Sequence, residues 1–279
     1  MNSYAFYNGK FGKKDDITIP LSDRAIFFGD AVYDAAIGRL DKILWEDDHI
    51  ERLLKNAKEI GISHKYTANY ISSLLHEIGV RFGENNYFIY MQISRNKTER
   101  THSAINCNAN LLITIDPIEI SKKASSLKLI TVEDRRYKFC NIKTVNLLPA
   151  VLSMTKAETA NADEAVFIKN GLITECSKSN ISIIKCGRII THPESDRILP
   201  GIARKHLANK CAQIGVPFEE RAFTYKEMIE ADEILVTSTT KLCKTVHEID
   251  SIPVGNKSKD LARMLCDMMY QDFSVHCLS

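Results

Sequence analysis

The sequence lacks a strong charge of either sign, a long apolar run and any closely spaced pair of cysteines. Its 279 residues carry 37 lysines and arginines against 35 aspartates and glutamates, a net charge of +2. A dedicated nucleic-acid-binding protein usually has a large basic excess, so this balance argues against such a partner. No stretch approaches the roughly 20 apolar residues of a membrane span, and Met1 to Tyr7 contain no apolar leader core. We therefore expect no nucleic-acid partner, no membrane segment and no secretory signal.

The cysteines also lack the spacings that metal sites and redox motifs use. No C-x-x-C pair occurs, and no cluster of histidines and cysteines has zinc-site spacing. Scattered cysteines in a chain of this length are typical of reduced thiols, so we expect a cytoplasmic protein without a bound metal. The eight positions are 107, 140, 176, 186, 211, 243, 266 and 277.

The composition is that of an ordinary folded protein, with 44% hydrophobic and 26% charged residues. The length suits one large domain or two modest ones. The stretch from Pro117 to Ser126 is typical of a linker between domains. We therefore predict a small N-terminal domain over residues 1–116, a linker over 117–126 and a larger C-terminal domain over 127–279.

Periodicity and turn signals predict a mixture of helices and strands. Apolar residues at helical spacing predict a helix over 48–61, capped by Asp47 or Asp48. Thr67 is a suitable cap for a second helix that runs to Phe82. Turn signals predict a β-hairpin within residues 4–20 and another around Asn170-Gly171. The remaining predicted elements are strands at 87–94, 111–116, 127–132, 164–168, 181–184 and 233–236, and helices at 149–157, 202–214 and 256–279.

Lys143 lies in an apolar run. Ile142 and Val145 flank it, and Leu147 and Leu148 follow. Because desolvating an ammonium group is costly, such a lysine either extends to water or has its pKa lowered until a neutral amine is present. A neutral amine is the form that Schiff-base chemistry requires. The run alone leaves both interpretations open.

The segment from Asn141 to Leu152, Asn-Ile-Lys-Thr-Val-Asn-Leu-Leu-Pro-Ala-Val-Leu, resembles the lysine segment of the fold-type IV pyridoxal-phosphate enzymes. That group contains D-amino acid aminotransferases, branched-chain aminotransferases and aminodeoxychorismate lyases. The resemblance extends from Tyr7 to the region of Ile249, with its blocks in the family order. It implies a two-domain α+β (α/β) fold, pyridoxal 5'-phosphate as cofactor and a homodimer. By this resemblance Lys143, which lies in the predicted C-terminal domain, forms the internal aldimine and later moves the substrate proton.

The resemblance also implies the cofactor contacts. Glu175 matches the glutamate that meets the pyridine nitrogen, where a carboxylate keeps the nitrogen protonated and the ring an electron sink. Arg52 matches the arginine that pairs with the phosphate, although by itself it is typical of a solvated arginine. Ile202 and Ala203 match backbone amides at a helix N-terminus that binds phosphate. The full implied set is Arg52, Glu175, Ser179, Ile202, Ala203 and Thr239.

Three residues match substrate contacts. Tyr33 follows a Phe-Gly-Asp-x-Val block and matches a tyrosine that helps to hold the substrate carboxylate. Arg100 and His102 reproduce the Arg-x-His pair with which D-amino acid aminotransferases clamp that carboxylate from the partner subunit. Branched-chain enzymes and lyases do not generally have this pair. The resemblance therefore implies a ping-pong aminotransferase acting on D-amino acids, such as D-alanine or D-glutamate, and 2-oxo acids.

This chain departs from the family pattern at several positions. The clamp loop has Asn96, Lys97 and Glu99 where the family has small residues, and Lys178 replaces a small hydroxyl residue near the expected phosphate site. Either Lys178 contacts the phosphate or it points to water, the alternative that we favour. Three other functions stay open: an aminodeoxychorismate lyase, an L-branched-chain aminotransferase and a scaffold that has lost its chemistry. The further departures are Ala25 and Ala31 for glycine, Asp34 for glutamate and Cys176 for glycine.

Overall fold

The computed structural model describes residues 3–83, 85–96, 99–105, 107–120 and 126–278. The chain divides into two compact units. The first comprises Met1–Ile120, Ile142–Asn146 and Phe273–Ser279, and the second comprises Ser121–Asn141 and Leu147–Asp272. Residues 121–125 of the predicted linker lie outside the described residues. The short segment that carries Lys143 thus belongs to the first unit.

The first unit is built from helices and one antiparallel sheet. Its elements are β1 (Tyr4–Tyr7), β2 (Lys10–Lys13), a 3-10 turn (Lys14–Asp16), α1 (Arg24–Phe28), β3 (Ala31–Arg39), β4 (Lys42–Ile43), α2 (Glu46–Glu59), α3 (Ala68–Phe82), β5 (Asn86–Asn96) and β6 (Asn108–Pro117). Within the described residues the strands form a six-stranded sheet in the order β2-β1-β6-β5-β3-β4. The predicted hairpin is confirmed, since β1 and β2 pair across the Asn8-Gly9 turn.

The apolar stripes of α2 and α3 form the core of this unit together with the sheet. Leu53 and Ala57 of α2 and Leu75 of α3 are fully buried in the same cluster as the strand residues. Helix α3 also approaches the backbone at Leu40, between β3 and β4, closely. A Cβ atom added to Gly79 in α3 would lie 2.0 Å from the carbonyl oxygen of Leu40, so only glycine fits there.

The N-termini of α2 and α3 differ in their capping: α3 has a side-chain cap and α2 has none. The Thr67 side chain accepts a hydrogen bond from the Tyr70 N–H, which confirms the predicted cap of α3. The predicted cap of α2 is wrong, because the helix begins at Glu46 after Trp45 in a left-handed conformation, without a side-chain cap. Asp47 and Asp48 lie in the first turn instead, where negative charge interacts favourably with the helix dipole.

The second unit contains a mixed sheet and the remaining helices. Its elements are β7 (Leu127–Glu133), α4 (Leu148–Thr159), β8 (Glu164–Lys169), β9 (Leu172–Cys176), β10 (Asn180–Lys185), β11 (Arg188–Thr191), α5 (Ile202–Gln213), β12 (Phe218–Glu220), β13 (Phe223–Thr224), α6 (Tyr225–Ile229), β14 (Glu233–Ser238), β15 (Leu242–Ile249), β16 (Ile252–Pro253) and α7 (Lys259–Cys277). The final residues of α7, from Phe273, are assigned to the first unit.

The sheet of the second unit has the strand order β12-β11-β10-β14-β15-β7-β8-β9-β13, with β16 pairing with β15. β7 runs parallel to both β8 and β15, whereas β10 is antiparallel to β14. Asn170 and Gly171 have φ angles of 52° and 78° and connect β8 to β9, as their turn signal predicts. Among the described residues, every helix is too short or too polar to span a lipid bilayer.

Candidate active site

The segment that carries Lys143 lies along β3 in the first unit. The Tyr33 N–H donates to the Lys143 carbonyl over 2.9 Å, and the Val145 N–H donates to the Ala31 carbonyl over 3.2 Å. Ile142 is buried in the core of the same unit. The backbone on both sides of the lysine is therefore fixed by hydrogen bonds and packing.

The side chain of Lys143 extends over an aromatic ring. Its Nζ atom lies 4.3 Å from the centroid of the Tyr33 ring, and the lysine is half-buried. The Tyr33 ring in turn stacks on Tyr90, with centroids 5.3 Å apart. Burial raises the pKa of the Tyr90 phenol, whose hydroxyl donates to Gln92 over 2.7 Å. The structure thus brings together Lys143 and Tyr33, two residues that the sequence singles out.

Asp34 follows Tyr33 on β3 and holds Arg52. The Arg52 Nε donates to Asp34 Oδ2 over 2.7 Å, and Nη2 donates to Oδ1 over 2.9 Å, so the guanidinium fork and the carboxylate face each other. Burial favours the neutral acid, but the charge of Arg52 and a hydrogen bond from His49 outweigh that effect and hold the pKa of Asp34 well below its usual range. Asp34 therefore fixes the orientation of the arginine predicted to bind phosphate.

His49 is the third member of this buried cluster. Its Nδ1 atom lies 2.7 Å from Asp34 Oδ1. Burial lowers the pKa of His49, and the charges of Arg52 and Lys143 act in the same direction against the raising effect of Asp34. Because an ionised carboxylate only accepts hydrogen bonds, Nδ1 is the donor in this pair. Its buried Nε2 atom has no hydrogen-bond partner among the atoms of the described residues.

The predicted substrate clamp lies on the surface of α1. The Arg100 guanidinium carbon is 5.5 Å from the Phe27 ring centroid and 5.3 Å from that of Phe28, and the His102 ring is 5.5 Å from Phe28. Both Arg100 and His102 are exposed. Lys97, one of the departures in this loop, lies outside the described residues.

Arg24 holds the backbone of the clamp loop. Its Nη1 donates to the Thr101 carbonyl over 2.6 Å and its Nη2 to the His102 carbonyl over 3.2 Å. Asp30 pairs with both Arg24 and Arg95, at 2.7 and 3.0 Å. The sequence gives no signal for this role of Arg24, because nothing in an Asp-Arg dipeptide indicates which loop the arginine will contact.

Glu175 lies at the end of β9 in the second unit with its carboxylate almost fully enclosed. Asn180 Nδ2 donates to Oε2 over 2.9 Å, and the Leu199 N–H lies 3.1 Å from the same oxygen. Arg136 Nη1 forms an ion pair with Oε1. Donors on three sides fix the orientation of the carboxylate.

Arg136 is a functional candidate that sequence reasoning missed. It pairs with Asp134 through Nη2 and Oδ2 at 2.8 Å, as well as with Glu175, and its guanidinium lies 4.4 Å from the Phe167 ring centroid. Burial alone raises the pKa of Asp134, but hydrogen bonds from Arg136 reverse the shift and lower it. The Arg135-Arg136 dipeptide gives no signal that one arginine is partly buried and the other exposed.

Ser179 and Thr239 lie in two turns of the second unit. The Ser179 hydroxyl is 2.7 and 2.6 Å from the two oxygens of Glu164. Thr239 is half-buried in the loop between β14 and β15. Thr237, two residues before Thr239, is buried within β14. Lys178 is exposed, which agrees with its predicted direction toward water.

Ile202 and Ala203 occupy the first two positions of α5. Gly201 precedes them as the N-cap residue and no side chain caps the helix, which leaves backbone N–H groups available at a positive helix end. A Cβ atom on Gly201 would lie 1.9 Å from Asn180 Oδ1, so glycine is required beside the amide that also binds Glu175.

The predicted site residues therefore form two sets, one in each unit. The first unit holds Lys143, Tyr33, Arg52, Arg100 and His102, and the second holds Glu175, Ser179, Ile202, Ala203 and Thr239. In the described part of the chain, no three histidine, cysteine, aspartate or glutamate side chains converge as metal ligands would.

Comparisons with known proteins give one consistent answer. The family model described as amino-transferase class IV matches residues 31–249. A D-alanine aminotransferase from Bacillus licheniformis is 34% identical over 254 residues, which cover 90% of this chain and 89% of that relative. A D-alanine aminotransferase from Staphylococcus haemolyticus is 32% identical over 255 residues, covering 90% of each chain.

Solved structures share the fold. A branched-chain aminotransferase from the archaeon Thermoproteus uzoniensis, solved with norvaline, superposes with a TM-score of 0.89 at 22% identity, covering 97% of this chain and 94% of that one. A branched-chain amino acid aminotransferase from Thermobaculum terrenum, solved in its PLP form, gives a TM-score of 0.86 at 19% identity, covering 99% of this chain and 95% of that one. These similarities confirm the fold class predicted from the sequence.

Proposed function

Because this chain belongs to the amino-transferase class IV family, we propose that it moves amino groups between D-amino acids and 2-oxo acids, with pyridoxal 5'-phosphate as cofactor. The similarity to D-alanine aminotransferases over 90% of the chain supports D-amino acids such as D-alanine and D-glutamate. The two branched-chain enzymes described above are at most 22% identical to this chain, a level that supports the fold and not the substrate.

The observation that carries the proposal is the fixed position of the Lys143 amine. Backbone hydrogen bonds to β3 hold the residue, and its Nζ lies 4.3 Å from the Tyr33 ring centroid. A lysine that bonds to an aldehyde and then transfers a proton needs such a defined position and partial burial. We assign to Lys143 both the covalent attachment and the transfer of the proton at the substrate Cα.

Each unit contains residues that fit the chemistry of the cofactor. When bound, pyridoxal phosphate supplies an aldehyde that reacts with amines and a ring that takes up the electrons left when a Cα–H bond breaks. The uncapped N-terminus of α5 suits the phosphate. Glu175 offers a carboxylate with a fixed orientation to the ring nitrogen. The unpartnered Nε2 of His49 marks a polar position in the cluster that holds Arg52.

The predicted site residues have three distinct tasks in this proposal. The phosphate is held by Arg52, Ser179, Thr239 and the amides of Ile202 and Ala203. Glu175 keeps the ring nitrogen protonated, and Arg136 holds Glu175 in its orientation. The substrate carboxylate is bound by Tyr33, Arg100 and His102. Positively charged and hydrogen-bonding groups suit both anions, because charge-assisted hydrogen bonds are the stronger ones.

The assembly is a homodimer with two-fold symmetry in this proposal. Several large apolar side chains of the second unit are exposed in the single chain, including Leu148, Val151 and Leu152 at the start of α4, at 61%, 55% and 56%. Contiguous exposed apolar residues of this kind are typical of a surface that another protein covers. Arg100 and His102 are exposed in their own subunit, which leaves them accessible to a second copy.

A cytoplasmic location completes the proposal. All eight cysteines carry free thiols, and four of them are buried. Reduced cysteines are typical of proteins in a reducing compartment.

The experiment that tests the function is a substrate panel. The purified protein is assayed with D- and L-alanine, glutamate, leucine and valine as donors and with pyruvate and 2-oxoglutarate as acceptors. We expect turnover of the D-amino acids. Pyruvate release from aminodeoxychorismate, without transfer from D-alanine, would support the lyase instead. The absence of any turnover would support a scaffold.

A further inference from the structure

A buried carboxylate links two turns that the proposed function assigns to the cofactor phosphate. Glu164 begins β8, and its side chain is fully buried. Its Oε1 accepts from the Lys178 N–H over 2.8 Å, and its two oxygens accept from the Ser179 hydroxyl. Lys241 Nζ lies 2.6 Å from Oε2. One carboxylate therefore binds groups from two separate turns.

The two turns lie at the same end of the paired strands β10 and β14. Asn180, at the start of β10, pairs with Thr237 near the end of β14, so the segments just beyond them are neighbours. The first turn is closed by a 2.8 Å hydrogen bond from the Cys176 N–H to the Ser179 carbonyl. In the second turn, the Lys241 N–H donates to Ser238 Oγ over 3.2 Å. Each turn is closed internally, and Glu164 connects them.

Lys241 supplies the positive charge that compensates the buried Glu164 carboxylate. A fully buried carboxylate is costly unless a cation and hydrogen bonds compensate it. Without Lys241, no cation would compensate the negative charge of Glu164. That charge would also lie within hydrogen-bond distance of Ser179. A phosphate dianion that binds at Ser179 would then be repelled, because like charges in a region of low dielectric interact strongly.

We propose that Lys241 and Glu164 are positioning residues for the phosphate site, in which Lys241 neutralises Glu164 and holds the Ser179 and Thr239 turns together. This inference rests on the proposed function, which assigns both turns to the phosphate. Lys241 thus supports phosphate binding through Glu164. Substitution of Lys241 or Glu164 is therefore expected to change the affinity for cofactors that carry a phosphate. The aldehyde chemistry of Lys143 is expected to stay unchanged.

The test compares two aldehydes that differ only in the phosphate. Pyridoxal phosphate and pyridoxal are titrated into cofactor-free protein, and both dissociation constants are measured from the absorbance change, without turnover. For Lys241→Met we expect the affinity for pyridoxal phosphate to fall about 10- to 100-fold. This is the size of effect expected when the charge-assisted contact between Lys241 and Glu164 is lost. The affinity for pyridoxal is expected to stay at the wild-type value. Lys226→Met, which removes an exposed partner of Glu230, is the matched control.

A double variant separates the role of the charge from a general loss of folding. Glu164→Gln/Lys241→Met removes both charges but keeps an amide beside Ser179, so it is expected to recover most of the preference for pyridoxal phosphate. Urea unfolding of each cofactor-free variant checks that it is folded. If Lys241→Met does not fold, the double variant carries the test.

Two outcomes overturn the inference. One is an equal loss of affinity for both aldehydes in Lys241→Met, or no loss for either. The other is a double variant that folds but has lost the preference for the phosphate. Thr239→Val tests the underlying assignment separately. If Thr239→Val keeps the full preference, the proposed phosphate site is wrong; if it loses the preference while Lys241→Met keeps it, only this inference fails.

Discussion

Lys143 and Tyr33 are joined both through their backbones and through their side chains. The Tyr33 N–H donates to the Lys143 carbonyl over 2.9 Å, and the Lys143 Nζ lies 4.3 Å from the centroid of the Tyr33 ring. The backbone bond fixes where the lysine leaves β3, and the ring limits where its amine can lie. No such arrangement can be read from the sequence, in which the two residues lie 110 positions apart (143 minus 33).

The first prediction follows from this fixed amine. Borohydride reduction of the cofactor-loaded protein is expected to attach the cofactor to the peptide that contains Lys143, as located by mass spectrometry. Lys143→Ala is expected to lose turnover by more than the roughly 10²–10⁴-fold that general-base catalysis contributes, because the covalent role is lost too. Lys138→Ala, which changes an exposed lysine in the same segment, is the control. An adduct on Lys138 would show that the assignment is wrong.

The second prediction contrasts two adjacent arginines. Arg136 is 13% exposed and pairs with the buried Asp134 and Glu175, whereas Arg135 is 77% exposed and pairs with Glu133. Arg136→Met leaves buried carboxylates without their cation, which typically costs about 3–5 kcal/mol of unfolding free energy. Arg135→Met is expected to cost less than about 1 kcal/mol. Urea unfolding of both variants measures the difference, and equal losses would contradict the role of Arg136.

The third prediction concerns the assembly. If Arg100 of one subunit completes the site of its partner, mixtures of Lys143→Ala and Arg100→Ala subunits contain some intact sites. After subunit exchange we expect recovery toward about a quarter of the wild-type activity, since half of the dimers are hybrids with one intact site each. Each variant incubated with itself is the control. A fully active monomer in light scattering at the assay concentration would exclude a shared site.

The fourth prediction is a pH dependence of stability that arises from Asp34. Arg52 and His49 hold the pKa of Asp34 below its usual range in the folded chain, despite its burial. The unfolded chain therefore binds a proton at a higher pH than the folded chain does. The stabilisation is complete above about pH 5 and is lost as the pH falls through the ordinary value near 3.9 toward the lower folded value.

Asp34→Asn removes this contribution. At neutral pH the variant is expected to lose about 3–5 kcal/mol of unfolding free energy, and its difference from the wild type is expected to shrink between pH 5 and pH 3. Denaturant unfolding across that pH range measures the difference. Asp15→Asn, at an exposed position of the same unit, is the control. A difference that stays constant with pH would mean that the Asp34 carboxylate is not the source.

Local patterns in the sequence predict much of the fold. Helical spacing and the Thr67 cap locate α2 and α3, and Asn170-Gly171 locates a hairpin, because each signal is contained in a few neighbouring residues. The cap of α2 is mispredicted because Trp45 adopts a left-handed conformation that its residue type does not indicate. The short helix α6 is missed because its five residues are too few to show a period.

The supporting partners of the site could not be predicted in the same way. Family resemblance indicates Glu175 and Arg52, but the partners that orient them come from elsewhere in the chain. Arg136 reaches Glu175 across 38 intervening positions, counted from 137 to 174, and Lys241 reaches Glu164 over a longer separation. A charged residue in a single sequence looks the same whether it is solvated or paired in the interior.

The last prediction is stereochemical. The proton leaves from the face on which Lys143 lies, so the substrate Cα–H bond points there, and the position of the carboxylate then decides which hand is accepted. If Tyr33, Arg100 and His102 bind that carboxylate, D-alanine or D-glutamate reacts with 2-oxo acids. Arg100→Ala is expected to lower kcat/KM for D-alanine about 10- to 150-fold, the effect of losing one charge-assisted partner, with little change in cofactor affinity. Arg81→Ala, at an exposed arginine of the same unit, should have no such effect. Efficient transamination of L-leucine or L-valine without any D-amino acid would instead identify an L-branched-chain enzyme, because the carboxylate would then occupy the other position.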